Sequence, residues 1–128
     1  MVVLAALAAG ALGACGGESG DLLAIEVTGG PQGGERALVV TEDGRGRCDG
    51  SALSAIPNER LIETRELERE LTELAEDDRR PTAAGGRDYV ARFRDGAARW
   101  SELTEPKPEV LARLELLALQ LGRDLCGP

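Results

Sequence analysis

Hydrophobic positions change their spacing several times along the 128 residues, and each change marks an expected element. In DLLAIEV (21–27), Leu23, Ile25 and Val27 alternate with Ala24 and Glu26, and RALVVTEDG (36–44) resumes an extended apolar pattern after the glycine-rich TGGPQGG (28–34). Because successive side chains of a strand point to opposite faces, this reads as a strand, a long hairpin loop and a second strand. From about Glu59 to Glu76 the period lengthens: Leu67, Leu71 and Leu74 recur at helical spacing, with Leu61 and Thr64 extending the stripe and Glu and Arg filling the rest. That is an amphipathic helix with one face for a sheet. EDDRRPTAAGG (76–86) supplies Pro81, Gly85 and Gly86 and ends it in an exposed loop, where Asp77 and Asp78 read as solvated carboxylates.

The clearest local signal is RDYVARFRDGAARWSE (87–102), two alternating runs around Asp95-Gly96, a dipeptide suited to a type I′ turn. With that turn Arg94 opposes Ala97, Phe93 opposes Ala98 and Ala91 opposes Trp100. One face is then apolar, and Arg92, Arg94 and Arg99 share the other. Arg92 would sit directly across from Arg99, an unfavourable pair that calls for carboxylates supplied by this chain or by a partner. Pro106 and Pro108 introduce EVLARLELLALQLG (109–122), in which Val110, Leu114, Leu117 and Leu121 form a stripe with Leu111 and Ala118 beside it. A second packed helix ending near Gly122 is expected. The whole is an α+β domain over residues 22–128, within the size of a single domain with one modest core.

Residues 1–14 fit neither period. They form a continuous apolar run, MVVLAALAAGALGA, without a charged side chain, and it stops at Cys15 and the glycine-rich GGESG. A membrane span needs roughly 20 apolar residues, so this run is too short to cross comfortably. Its length and small-residue ending suit the apolar core of a secretory signal. Leu12-Gly13-Ala14-Cys15 resembles a bacterial lipobox. The resemblance implies a diacylglycerol on the Cys15 thiol, removal of residues 1–14, a flexible tether over 15–21, and a place on the extracytoplasmic side of a membrane in the cell envelope. No Lys or Arg precedes Cys15, which is consistent with a translation start upstream. The other reading of the run is an ordinary Ala/Leu-rich helix packed in the domain.

With Cys15 lipidated, the three cysteines leave one pair, Cys48 and Cys126. Outside the cytoplasm that pair can oxidise, and a bridge would fasten the carboxyl end to the first hairpin for about 4 kcal/mol in the chain-entropy account. Two free buried thiols are the alternative. A metal site is disfavoured, because two cysteines without nearby histidines make an incomplete ligand set.

Charge and composition then narrow the chemistry. The net charge of -8 falls entirely on residues 15–128, and such a chain repels phosphate backbones, so no nucleic-acid partner is expected. There is no histidine, which removes the usual general base and every Ser/His or Cys/His catalytic pair. Gly29, Gly30, Gly33 and Gly34 lack the spacing of a phosphate cradle. The expectation is therefore a non-enzyme without cofactor or metal. Tyr89, Phe93 and Trp100 are the only aromatic residues, so the packing around them should be locally important.

The order strand, glycine-rich turn, strand, helix, hairpin, helix, with IEVTGGPQGG (25–34) and RDYVARFRDGAARW (87–100), resembles the emfourin family of small inhibitors of thermolysin-like metallopeptidases. The resemblance covers roughly residues 22–121. It implies a four-stranded antiparallel sheet with two helices on one face, in agreement with the order read from periodicity. The function expected is a membrane-anchored protein-binding module, in its specific form a peptidase inhibitor, with Gly30 and Gly33 of the loop and Arg92, Arg94 and Arg99 as partner-binding candidates. The alternative is a structural or envelope-associated lipoprotein without inhibitory activity.

Overall fold

A computed structural model of the chain describes residues 20–29, 35–74 and 86–127. Their elements are β1 (Asp21–Gly29), β2 (Arg36–Thr41), β3 (Arg45–Cys48), β4 (Ser54–Ala55), α1 (Asn58–Glu73), β5 (Arg87–Phe93), β6 (Gly96–Ser101) and α2 (Glu109–Leu125). The fold is α+β, but the sheet has six strands rather than the expected four, in the order β4-β3-β2-β1-β5-β6, with every neighbouring pair antiparallel. The two additional strands escaped the pattern because their side chains carry almost none. β3 is RGRC and β4 is only two exposed residues, so main-chain pairing rather than alternation defines both. A tight turn makes β3 possible: the Gly44 N–H donates to the Thr41 carbonyl at 3.2 Å, and Gly44 adopts φ 88°, where a side chain would be strained.

One side of the sheet supplies the core. Leu23 and Ile25 of β1, Leu38 and Val40 of β2, Tyr89 and Ala91 of β5 and Trp100 of β6 are all buried, and they join Leu67 and Leu71 of α1 and Leu114, Leu117 and Leu121 of α2 in one cluster. Helical stripe and strand alternation thus meet as the sequence periods require. Thr64, fully buried inside α1, satisfies its hydroxyl by donating to the Arg60 carbonyl at 2.6 Å. The helices are also joined by charge. Arg113 of α2 reaches Glu63 at 3.2 Å and Glu70 at 2.8 Å on α1, which holds its guanidinium pKa above the ordinary value, the Glu63 hydrogen bond being the largest cause.

The β5–β6 hairpin keeps its predicted faces but not its predicted register. The turn lies at Arg94-Asp95, so Phe93 opposes Gly96, Ala91 opposes Ala98 and Tyr89 opposes Trp100. A slip of two residues leaves the side chains that remain in the strands on their original faces, but Arg94, expected opposite Ala97, moves out of the strand into the turn. The slip also changes two sets of neighbours: Arg92 now faces Ala97 and Arg99 faces Val90, which separates the like charges, and the Tyr89 and Trp100 rings stack at 5.2 Å. Trp100 is fully buried on the helix side, where its Nε1 donates to Glu115 of α2 at 2.8 Å.

Cys48 at the end of β3 and Cys126 just beyond α2 form a disulfide, with Cα atoms 5.3 Å apart. It closes the carboxyl end onto the strand that the sequence did not reveal. Among the described residues no helix is long and apolar enough to cross a membrane.

Candidate functional site

Among the described residues, no helix covers the face of the sheet opposite α1 and α2. Strand register places its residues in rows, one running Arg47, Val39, Ala24, Arg92, Ala97 across β3, β2, β1, β5 and β6, and the next running Ala37, Glu26, Val90, Arg99. Alanine and valine give this face a low floor on which the arginines stand as the tallest groups. Such a surface suits contact with another macromolecule more than enclosure of a small substrate.

Its charges are not alike. Arg92 pairs with Glu26 of the adjacent row, so the carboxylate that the hairpin demanded comes from β1. Both partners are about half exposed, and such a pair contributes little to stability. Arg99 on the edge strand β6 and Arg94 at the hairpin tip are exposed, and neither forms an ion pair with a described residue. Of the three arginines singled out in the sequence, the register brings Arg92 and Arg99 to one face of the sheet, while Arg94 stands in the hairpin turn; Arg92 is balanced internally, and Arg94 and Arg99 are unpaired among the described residues. Cys15, Gly30, Gly33, Asp77 and Asp78 lie outside the described residues.

A second feature was not anticipated. On the helix side, beyond the part of the sheet that α2 covers, lies a groove of about 480 Å³ whose apolar walls are Val27, Leu38, Tyr89, Leu116, Ala118 and Leu119. Leu116 and Leu119 remain 53% and 51% exposed. Both belong to the LELLALQL run, where apolar residues outnumber the positions that one buried stripe can use, and that excess is the signal that was available in the sequence.

Among the described residues four charged groups line this groove, and three are already engaged. Glu115 accepts from Trp100 Nε1 and from Lys107 Nζ, each at 2.8 Å. Glu102 accepts from the Arg87 main-chain N–H at 2.7 Å and lies 3.9 Å from its guanidinium. Arg36 has no acceptor among the described residues, and its guanidinium lies against Gly122 of α2. Tyr89, on the floor, has its hydroxyl pKa raised, chiefly by burial and further by Glu115 and Glu102, so it stays protonated at neutral pH.

Among the described residues no group of three or more Cys, Asp or Glu is placed to hold a metal ion. No protein family, curated protein or solved structure matches the chain.

Proposed function

We propose that the chain is a lipid-anchored, extracytoplasmic protein-binding module without catalytic activity of its own, which docks through the open face of its sheet. The observation that carries this reading is the pair Arg94 at the hairpin tip and Arg99 on the sheet face opposite α1 and α2, both exposed and without an ion pair among the described residues of a protein whose net charge is -8. A carboxylate-bearing surface on a partner would complement them, as arginine is well suited to interfacial carboxylates. The Cys48–Cys126 disulfide supports placement outside the cytoplasm, since structural disulfides persist in oxidising compartments. The apolar run ending at Cys15 supports the anchor. The emfourin-like order of elements makes a thermolysin-like metallopeptidase the first partner to test, with inhibition as the specific form of binding.

The experiment has two arms. Full-length protein expressed in a bacterial host that processes lipoproteins is analysed by mass spectrometry for an acylated amino-terminal Cys15, with Cys15→Ala as control. Titration against a thermolysin-like peptidase then compares wild type with Arg94→Ala/Arg99→Ala, which should bind at least about tenfold more weakly while unfolding at the same temperature. Acylation with full peptidase activity at saturating protein removes the inhibitor form and leaves an envelope-associated lipoprotein. An unmodified Cys15 removes the anchor.

A further inference from the structure

We propose that the groove between α2 and the inner face of the sheet binds a medium-chain acyl carboxylate, its hydrocarbon against Leu116, Leu119, Val27 and Leu38 and its carboxylate on Arg36. This site is independent of the anchor and of the open arginine face. Its volume of about 480 Å³ falls among small-molecule sites, which are mostly apolar with a few polar groups that fix orientation.

Charge selects the headgroup. Glu115, Glu102 and Arg87 are spent on one another and on Trp100 and Lys107, so among the described residues Arg36 is the charged lining group left to meet a ligand. Arg36 is also positioned. Gly122 stands in the last turn of α2, where a Cβ would collide with the Arg36 guanidinium. Glycine is among the least favourable residues inside a helix, and here it opens the space the guanidinium occupies. The partial negative charge at the carboxyl end of α2 attracts that cation without neutralising it as a carboxylate would.

Lack of other free polar groups selects the tail. A peptide entering the groove would bury amide N–H and C=O groups that require partners, and the lining offers few that are uncommitted. A hydrocarbon chain needs none. Its methylenes gain by leaving water, and so do the half-exposed Leu116 and Leu119.

The test is titration of the full-length protein with decanoate and, separately, with decanol, read by calorimetry and by the fluorescence of Trp100. Trp100 is the single tryptophan and stacks on Tyr89 in the groove floor. Wild type should bind decanoate saturably at one site, with a spectral change. Arg36→Gln should weaken decanoate by about tenfold and leave decanol unchanged, the signature of a carboxylate contact. Leu116→Asp should abolish binding of both while thermal unfolding stays as in wild type, because Leu116 is half exposed. The proposal is overturned by absence of saturable binding, by binding that survives Leu116→Asp, or by equal losses of decanoate and decanol in Arg36→Gln. Tighter binding of a short peptide with an aliphatic carboxyl-terminal residue than of decanoate would overturn the acyl assignment.

Discussion

Removing the disulfide should lower stability by an amount that the topology allows to be calculated. The bridge spans a sequence separation of 78 residues. A loop of that length restricts the unfolded chain by about 4.5 kcal/mol in the chain-entropy account, and measured native disulfides more often give about 2–4 kcal/mol. The native side of the balance is small: Cα atoms at 5.3 Å suit a bridge, and Cys48 is buried among apolar neighbours where alanine is tolerated. Cys48→Ala/Cys126→Ala should therefore fold to the same structure and lose roughly 3–4 kcal/mol. In urea this is a midpoint lower by roughly 2 M for slopes of about 1.5–2 kcal/mol/M. The slope itself should rise, because the uncrosslinked unfolded chain exposes more surface. Reduction of wild type should reproduce the shift, and reductant should do nothing to the double variant. Amide exchange should accelerate most in β3 and the last turn of α2, the two elements that the bridge ties. A loss below about 1 kcal/mol, or exchange that accelerates evenly through the sheet, would refute the assignment of this bridge as a long-range constraint.

Three further outcomes follow from the same packing. Glu115→Ala leaves the buried Trp100 Nε1 without its acceptor and Lys107 with only the Glu102 carbonyl of its two, and the domain should lose about 1–3 kcal/mol in tryptophan-monitored urea unfolding; unchanged stability would mean that water replaces the carboxylate. Gly46→Ala should cost about 1–3 kcal/mol by the same measurement, since its Cβ would stand 2.8 Å from Leu125 Cδ1 and 3.0 Å from the Val39 carbonyl oxygen, which backbone pairing holds in place. Tyr89 is the single tyrosine, so phenolate absorbance reports it alone: it should ionise above the ordinary value of about 10 in the folded protein. A raised folded-state pKa means that its stabilising contribution is complete below the unfolded-state value and is lost as pH rises toward the folded one. Wild type should accordingly lose stability above about pH 10 more steeply than Tyr89→Phe, and parallel alkaline limbs would contradict the burial argument.

Elements whose side chains repeat with a period were legible in the chain itself. The alternation around Leu23 and Ile25, the leucine stripe through Leu67 and Leu71, and the stripe through Leu114 and Leu121 each state a period and a buried face, and the faces assigned from them are those the core uses. The same holds for Trp100, Arg92 and Arg99, because a strand's two faces follow from parity alone, whereas Arg94 falls in the turn, where parity assigns no face. The Cys48 and Cys126 pairing could be reached by counting, once Cys15 was read as a modified thiol. Three matters required the tertiary structure. Parity is blind to a slip of two residues, so the choice between Asp95-Gly96 and Arg94-Asp95 as the turn fell to the stacking of Tyr89 on Trp100 and the separation of Arg92 from Arg99. Strands β3 and β4 carry no hydrophobic alternation, and only backbone pairing to β2, after the turn at Gly44, makes them strands. Which charges are free is a property of distance: Glu26 reaches Arg92 and Arg113 gathers its glutamates on α1, while Arg94, Arg99 and Arg36 are left with no ion pair among the described residues. A linear sequence records how many charges there are, whereas the fold determines which of them meet.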